Sequence, residues 1–362
     1  MKLYHVKLSL QTGRIRHKLI SAFLSLFVIY NVPVNATTTD KAASNKDFWT
    51  KELNVFVNDV AEQHELPISY IKKALESATL NPTVLEKIQT PWEKKPWHVY
   101  RNIFIKPERI HKGVAFWQEQ ERWLQKAEQE YGVPSHIIVS ILAVESYFGK
   151  HLGQYPVLDS LYSLGFHYPN KKRNRSKFFR SELGHFLKLS YQQQFNPTEI
   201  KGSYAGAMGW GQFIASSYRG YAVDFDNDGQ ANLFNSPADA IGSVANYFKK
   251  NGWKKNASIS VPLPQLDASY NKYLDKTVKK PKHTFSTLFE ADSPVVTANQ
   301  NLLDINANEK VKLMRFAQPE GFDYWLGLHN FYVITRYNHS NLYALAVFQL
   351  SEKIKQEYDR LI

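Results

Sequence analysis

No cysteine occurs in the 362 residues. That absence excludes a disulfide framework, a thiolate metal site, a cysteine nucleophile and a lipid anchor on an N-terminal cysteine. Long apolar runs are scarce as well. Leu19 to Tyr30, twelve apolar-dominated residues, is short for a membrane-spanning helix, which needs about 20. No other stretch is long and apolar enough to span. There is no internal repeat and no low-complexity segment, so repeat architectures are set aside. Acidic residues are under-represented: 45 Lys and Arg against 33 Asp and Glu leave a formal charge of +12, which favours acidic partners through long-range attraction.

What is present begins with an export signal. Lys2, Lys7, Arg14, Arg16 and Lys18 precede the apolar run, and Val34-Asn35-Ala36 puts small residues where a signal peptidase reads. Residues 1–36 are therefore read as a signal peptide and 37–46 as a flexible leader; retained uncleaved, the same segment would act as an anchor. Nucleic acid, anionic lipid and a carboxylate-bearing polymer all match the positive charge. Export and the scatter of Lys and Arg along the chain count against nucleic acid. The 8 Trp, 21 Tyr and 22 Phe suit a folded core, and equally a carbohydrate cleft in which sugar faces pack on rings.

The chain reads as mainly α (α+β). Apolar spacing is helical from Phe48 to Glu86, punctuated by Pro67 and Pro82. Residues 87–110, with Pro91, Pro96 and Pro107 around Trp97 to Tyr100, read as an extended connector. A long helix is expected from Val114 to Tyr131, stopped at Gly132. Residues 133–255 carry several helices and most of the motifs. Pro262, Pro264, Pro281, Pro294 and the run Val311 to Phe316 mark a small β-containing unit. The tail, Tyr332 to Tyr358, reads as one final helix. The corresponding units are 47–132, 133–255, 256–330 and 331–362.

The chemistry starts from one carboxyl group. Pro134 suits a first helical position, with Ser135 as the alternative cap. Ile138, Ile141, Leu142, Glu145 and Phe148 then recur at helical spacing, and Gly149 can close the helix in the left-handed conformation. A carboxyl group facing the core loses hydration, so its pKa rises and it can serve as a general acid. A Glu neutralised by a buried Arg or Lys is the alternative. Residues 202–211 then hold four glycines, which let backbone approach a ligand, and Gln212 brings both a donor and an acceptor. Further on, Asp224, Asp226 and Asp228 stand at positions 1, 3 and 5 of an EF-hand-like calcium loop, with Gly229 at 6 and the Gln230 carbonyl at 7. Position 12 is Asn235, not an acid, and a metal-free turn of Asx hydrogen bonds is the other reading of the loop.

Four segments occur in order: 143–149 (Ala-Val-Glu-Ser-Tyr-Phe-Gly), 203–213 (Ser-Tyr-Ala-Gly-Ala-Met-Gly-Trp-Gly-Gln-Phe), 238–248 (Ala-Asp-Ala-Ile-Gly-Ser-Val-Ala-Asn-Tyr-Phe) and 330–338 (Asn-Phe-Tyr-Val-Ile-Thr-Arg-Tyr-Asn). Together they resemble the membrane-bound lytic murein transglycosylase B family, over about residues 48 to 352. The resemblance implies a lysozyme-like catalytic core with a helical N-terminal domain and a small β-containing subdomain. It implies Glu145 as the catalytic acid/base. Ser146, Arg175, Ser203, Met208, Gln212, Tyr247, Asn330, Tyr332 and Tyr337 become the substrate-binding set. Phe148 stands where relatives often carry Trp, and the loop before Arg175 is longer than theirs. The resemblance also closes the calcium loop with Asp239, giving a structural Ca²⁺ set of Asp224, Asp226, Asp228, Gln230 and Asp239, with no cofactor needed for chemistry.

The implied reaction cleaves the N-acetylmuramic acid to N-acetylglucosamine bond of peptidoglycan and leaves a 1,6-anhydro end. A hydrolase of the same bond and a non-catalytic peptidoglycan-binding protein are the alternatives. The expected setting is the periplasm of a Gram-negative bacterium. A monomer is expected there, working on glycan strands and recruited by cell-wall synthesis or division proteins.

Overall fold

The computed structural model describes residues 49–89, 95–297 and 299–361; the expected signal peptide and leader lie outside them. The first helix, α1 (Lys51–His64), starts where the Thr50 side chain accepts the Leu53 N–H and ends where Glu65 turns left-handed. Then come α2 (Ile68–Glu76), α3 (Pro82–Lys87), α4 (Trp97–Phe104), α5 (Pro107–Glu119) and α6 (Glu121–Tyr131). Two expectations are corrected here. From residue 97 onward the connector is helical rather than extended, because Pro96 and Pro107 sit just before or within the first turn, where a missing N–H costs nothing and proline starts a helix. The long helix over 114–131 is two, since Gln120 leaves helical geometry at φ −105° and ψ 18°.

The central helix α7 (Ser135–Ser146) follows Pro134, which stands in the cap position rather than the first helical one. Its burial departs from an apolar stripe. Ten of its twelve residues are buried, on all sides, and His136 and Glu145 are mostly so. A helix apolar all round belongs in the middle of a core. There it packs on α5, on α6 and on two helices later in the chain.

A two-residue ladder joins β1 (Tyr155–Pro156) to β2 (Lys201–Gly202), bracketing α8 (Val157–Phe166) and α9 (Ser176–Gln192). Next come α10 (Ala215–Tyr221) and α11 (Pro237–Lys250). The sheet is built from β3 (Ser260–Leu263), β4 (His283–Thr284), β5 (Lys310–Ala317) and β6 (Phe322–Gly327) in the antiparallel order β3-β6-β5-β4. The tail is also divided, into α12 (His329–Tyr337) and α13 (Asn341–Tyr358). Asn338 is extended, and the Ser340 side chain caps α13 by accepting the Tyr343 N–H.

Three apolar clusters hold these elements. The first gathers α7 with Val244 and Phe248 of α11 and Tyr343, Val347 and Leu350 of α13. Inside it, the Ser140 hydroxyl donates to the Val347 carbonyl at 2.7 Å, fixing the axial register of α7 against α13. The second joins the N-terminal helices to α8, α9 and the Gly-rich segment, and the third fills one side of the sheet.

Ile138 lies fully buried within the first cluster. Ile138→Ala is expected to lower unfolding stability by about 2–5 kcal/mol in a denaturant titration. A loss below about 1 kcal/mol would mean that α7 is not the packing centre of the molecule.

Candidate active site

Glu145 occupies the last turn of α7 and is placed by the way that turn ends. Tyr147, Phe148 and Gly149 are all left-handed, with φ of 52°, 59° and 79°. Helix closure thus comes two residues before the expected Gly149, with Tyr147 as the cap donating to the Leu142 carbonyl. Two non-glycine residues in this region store about 1–2 kcal/mol each, strain that persists only where surroundings over-determine it. The surroundings are visible. The Gly149 N–H donates to the Ser146 hydroxyl at 3.0 Å, and a Cβ on Gly149 would stand 2.3 Å from the Trp210 ring. Gly149 is therefore required twice, for its φ and for the indole against it.

Trp210 belongs to the Gly-rich loop, which folds as a tight turn. Met208 and Phe213 exchange backbone hydrogen bonds at 2.9 Å in each direction. Gln212 sits inside the turn at φ 49°, and its amide nitrogen donates to the Gly209 and Leu152 carbonyls at 2.9 and 3.2 Å. Two carbonyls around one end of the amide fix which end is nitrogen and leave the oxygen pointing away as an acceptor. The Tyr337 hydroxyl donates to the Gly211 carbonyl at 2.6 Å, and a Cβ on Gly211 would come within 2.9 Å of that hydroxyl. The Tyr247 hydroxyl donates to the Arg336 carbonyl, and the Tyr247 and Tyr337 rings meet edge to face at 4.9 Å. Both phenols are thus committed to backbone, and what they contribute is their rings.

The Glu145 carboxyl has one hydrogen-bond partner among the described residues, the Tyr343 hydroxyl, which donates to Oε1 at 2.6 Å. Burial pushes the carboxyl up to about 8, against the opposing pull of that hydrogen bond. No neighbouring cation or second carboxylate contributes to the shift. The reading of Glu145 as half of a buried ion pair thus finds no support, and the group is protonated at neutral pH. The proximity runs both ways, since Glu145 adds to the rise of the Tyr337 and Tyr343 hydroxyl pKa values that burial begins.

Other residues from the expected set are placed differently. Ser146, Ser203, Met208 and Asn330 are buried, and the polar ones are occupied internally. The Ser203 hydroxyl accepts the Ala207 N–H at 2.9 Å. Asn330 accepts from the Lys254 N–H and donates to the Lys254 and Ala257 carbonyls. The internal hydrogen bonds of Ser146, Ser203 and Asn330 brace the backbone around the site. Arg175 stands over the Phe178 and Phe179 rings at the start of α9, and Tyr332 faces an open cavity bounded by α12 and the sheet. Sequence reasoning misses Tyr343. At the spacing of Val347, Leu350 and Ile354 it reads as one more core position, and nothing local marks its hydroxyl.

The acidic loop brings Asp224, Asp226 and Asp239 together, each offering a carboxylate oxygen within 4.8 Å of the others. Asp228 lies outside this trio, exposed, and accepts the Gln230 N–H at 2.9 Å. Asp239, at the start of α11, is fully buried and accepts the Phe225 and Asn232 N–H groups, each at 2.6 Å. Burial and the nearby Asp226 charge push its carboxyl up, while those N–H donors pull it down.

Comparison with known proteins gives this geometry its context. A family model described as "Transglycosylase SLT domain" matches residues 49–352. The membrane-bound lytic murein transglycosylase B of Escherichia coli strain K12 is 39% identical over 313 residues, covering 83% of this chain and 81% of its own. The crystal structure of the soluble lytic transglycosylase SltB1 from Pseudomonas aeruginosa superposes with a TM-score of 0.76 at 40% identity, over 85% of this chain and 99% of that one. The Escherichia coli lytic transglycosylase Slt35 in complex with calcium gives 0.73 at 37% identity, over 85% and 94%. A raised carboxyl at the end of a buried helix, within electrostatic reach of the Tyr337 phenol that braces a glycine-rich turn, is thus set in a lysozyme-like fold: the chain belongs to the transglycosylase SLT domain family and is a lytic transglycosylase.

Proposed function

We propose that Glu145 is the single acid/base with which this enzyme cleaves the β-1,4 bond between N-acetylmuramic acid and N-acetylglucosamine in peptidoglycan, at work in the periplasm of a Gram-negative cell. The observation that carries the reading is the Glu145 carboxyl itself, raised to about 8 with no second carboxylate contributing to its shift. Hydrolysis by a carboxylate pair needs a partner within roughly 5–10 Å. With one acid, the substrate must supply the nucleophile. Glu145 gives its proton to the bridging oxygen as the C1–O bond breaks, and the muramoyl N-acetyl oxygen closes on C1. The ionised Glu145 then takes the proton of the C6 hydroxyl, O6 bonds to C1, and the acetamide is released. No water is consumed. A tethered nucleophile at high effective molarity makes a second protein carboxylate unnecessary. The Tyr343 hydroxyl holds the carboxyl in place and lowers the cost of its ionised state.

Export rests on the signal read at residues 1–36. Among the described residues, no helix is long and apolar enough to cross a membrane.

The acidic loop supports a structural calcium ion, which one solved relative is described as holding. The donor set fits. Three hard carboxylates converge, one of them fully buried, and no ion pair among the described residues involves them. Asp224, Asp226 and Asp239 would hold the ion, with Asp228 and the Gln230 carbonyl completing the expected set; the ion would supply charge neutralisation to the turn that begins α11 and nothing to the reaction.

The mature protein is expected to release from purified peptidoglycan muropeptides about 18 Da lighter than hydrolysed ones, ending in 1,6-anhydro rings that mass spectrometry identifies. Glu145→Gln is expected to abolish release while retaining glycan binding; reducing ends, or substantial activity in the variant, would overturn the assignment. Because the acid must be protonated, kcat/KM is expected to fall as pH rises through about 8. Tyr343→Phe, which removes a hydrogen bond favouring the carboxylate, should move that limb to higher pH; an unmoved or lowered limb would remove Tyr343 from the account. Calcium at about a hundred times its dissociation constant should stabilise the fold by about 2.7 kcal/mol, a rise of several degrees in Tm that Asp226→Asn abolishes. Equal melting with calcium and with chelator would sink the metal assignment.

A further inference from the structure

One cavity of the molecule is lined by residues that do not include Glu145. It encloses about 860 Å³ between the sheet and the turn joining α12 to α13. That is within the range of sites that enclose a multi-group ligand. Its floor is aromatic, from Phe316 of β5 and Tyr332 of α12. Its rim is cationic: Lys276, Lys279, Lys280 and Arg315 line it, with Arg336 behind them and Asp275 as the one lining acid. No ion pair among the described residues involves Lys276, Lys279, Lys280 or Arg315. A rim of like charges repels itself, and an anionic occupant would relieve that repulsion.

The rim is built into the fold. Asp275 N–H donates to the Leu313 carbonyl at 2.9 Å, tying the lysine loop to β5. The buried Lys312 ammonium donates to the Thr277 carbonyl and to Asn341 Oδ1, and the Asn341 amide donates back to the Thr277 carbonyl at 3.2 Å. Asn341 begins α13, and two residues later Tyr343 holds Glu145. Arg336, on the cavity wall, gives its carbonyl to the Tyr247 hydroxyl beside the Gly-rich turn. The cavity and the acid therefore share a wall.

Resting on the peptidoglycan reading above, we infer that this cavity receives the carboxylate-bearing peptide stem carried by the muramic acid residue of the strand being cut. The disaccharide backbone offers little charge once its lactyl group is amide-linked. The carboxylates of peptidoglycan lie on the stem, so a cationic cavity adjoining the glycan site matches the stem and not the sugars. The aromatic floor takes the apolar side of the peptide, and the lysines and Arg315 take its carboxylates.

The test measures binding, not turnover, and uses Glu145→Gln protein so that strands stay intact. Short glycan oligomers bearing their stems are compared with the same oligomers stripped by an amidase and then capped as simple amides at the freed lactyl carboxylates. Stemmed oligomers are expected to bind about tenfold more tightly, the scale of two or three exposed charge pairs. Adding Lys276→Ala, Lys279→Ala and Arg315→Ala, with circular dichroism to confirm the fold, is expected to erase the difference while leaving affinity for stripped oligomers unchanged. A preference that survives the triple change overturns the inference, as does an equal loss for both oligomers or the absence of any preference. A native enzyme that leaves strands uncut would count against the catalytic reading alone, since the binding comparison stands without it.

Discussion

A carboxyl group drawn out of water at the end of a buried helix has two stable conditions: paired with a cation, or protonated. Here no cation among the described residues pairs with it, and the rest of the site is arranged around that choice. The hydroxyl of Tyr343 supplies the one hydrogen bond, short enough to orient the carboxyl and neutral enough to leave its proton in place. Holding that geometry requires α13 to be locked in register against α7, which the Ser140 to Val347 hydrogen bond and the shared apolar cluster accomplish. It also requires α7 to stop abruptly. The left-handed run from Tyr147 to Gly149 does so and turns the chain toward the loop that carries Gln212.

The placement of strain supports this view. Seven non-glycine residues among those described have positive φ, and Tyr147, Phe148 and Gln212 are three of them. Strain concentrated where two loops meet a functional carboxyl is what a site built for fixed geometry requires, because relaxed turns would let the acid wander. The glycines do the complementary work of closeness, Gly149 under the Trp210 indole and Gly211 under the Tyr337 hydroxyl.

Much of this is legible in the residues, and the illegible parts have physical reasons. Glu145 can be picked out because a lone acid among Ile, Leu and Val has few explanations, and β5 because its β-rich run lies among prolines. The burial of α7 is harder to read, since a helix covered on every side shows no polar face for contrast. Prolines at 96 and 107 look like breakers yet start helices, a distinction set by the helical residues C-terminal to each. The break over 338–340 is invisible because both flanking segments are apolar in helical period. Ser203 and Asn330 have a second use that the motif does not announce: their side chains satisfy backbone donors and acceptors that the surrounding loops would otherwise leave unpaired.

That break at residues 338–340 sets something beyond chain direction. On a continuous helix, six residues of separation would rotate Tyr343 about 240° from Tyr337 and carry it about 9 Å along the axis, so the two phenols could not bracket one carboxyl. The turn capped by Ser340 brings them both within electrostatic reach of Glu145. Part of the acidity of the site is therefore set by a largely buried turn that lies outside both the acid's own helix and the Gly-rich loop. Lineages facing different ambient pH could retune the enzyme there, by small changes in how the two helices meet, with every residue of the cleft left as it is.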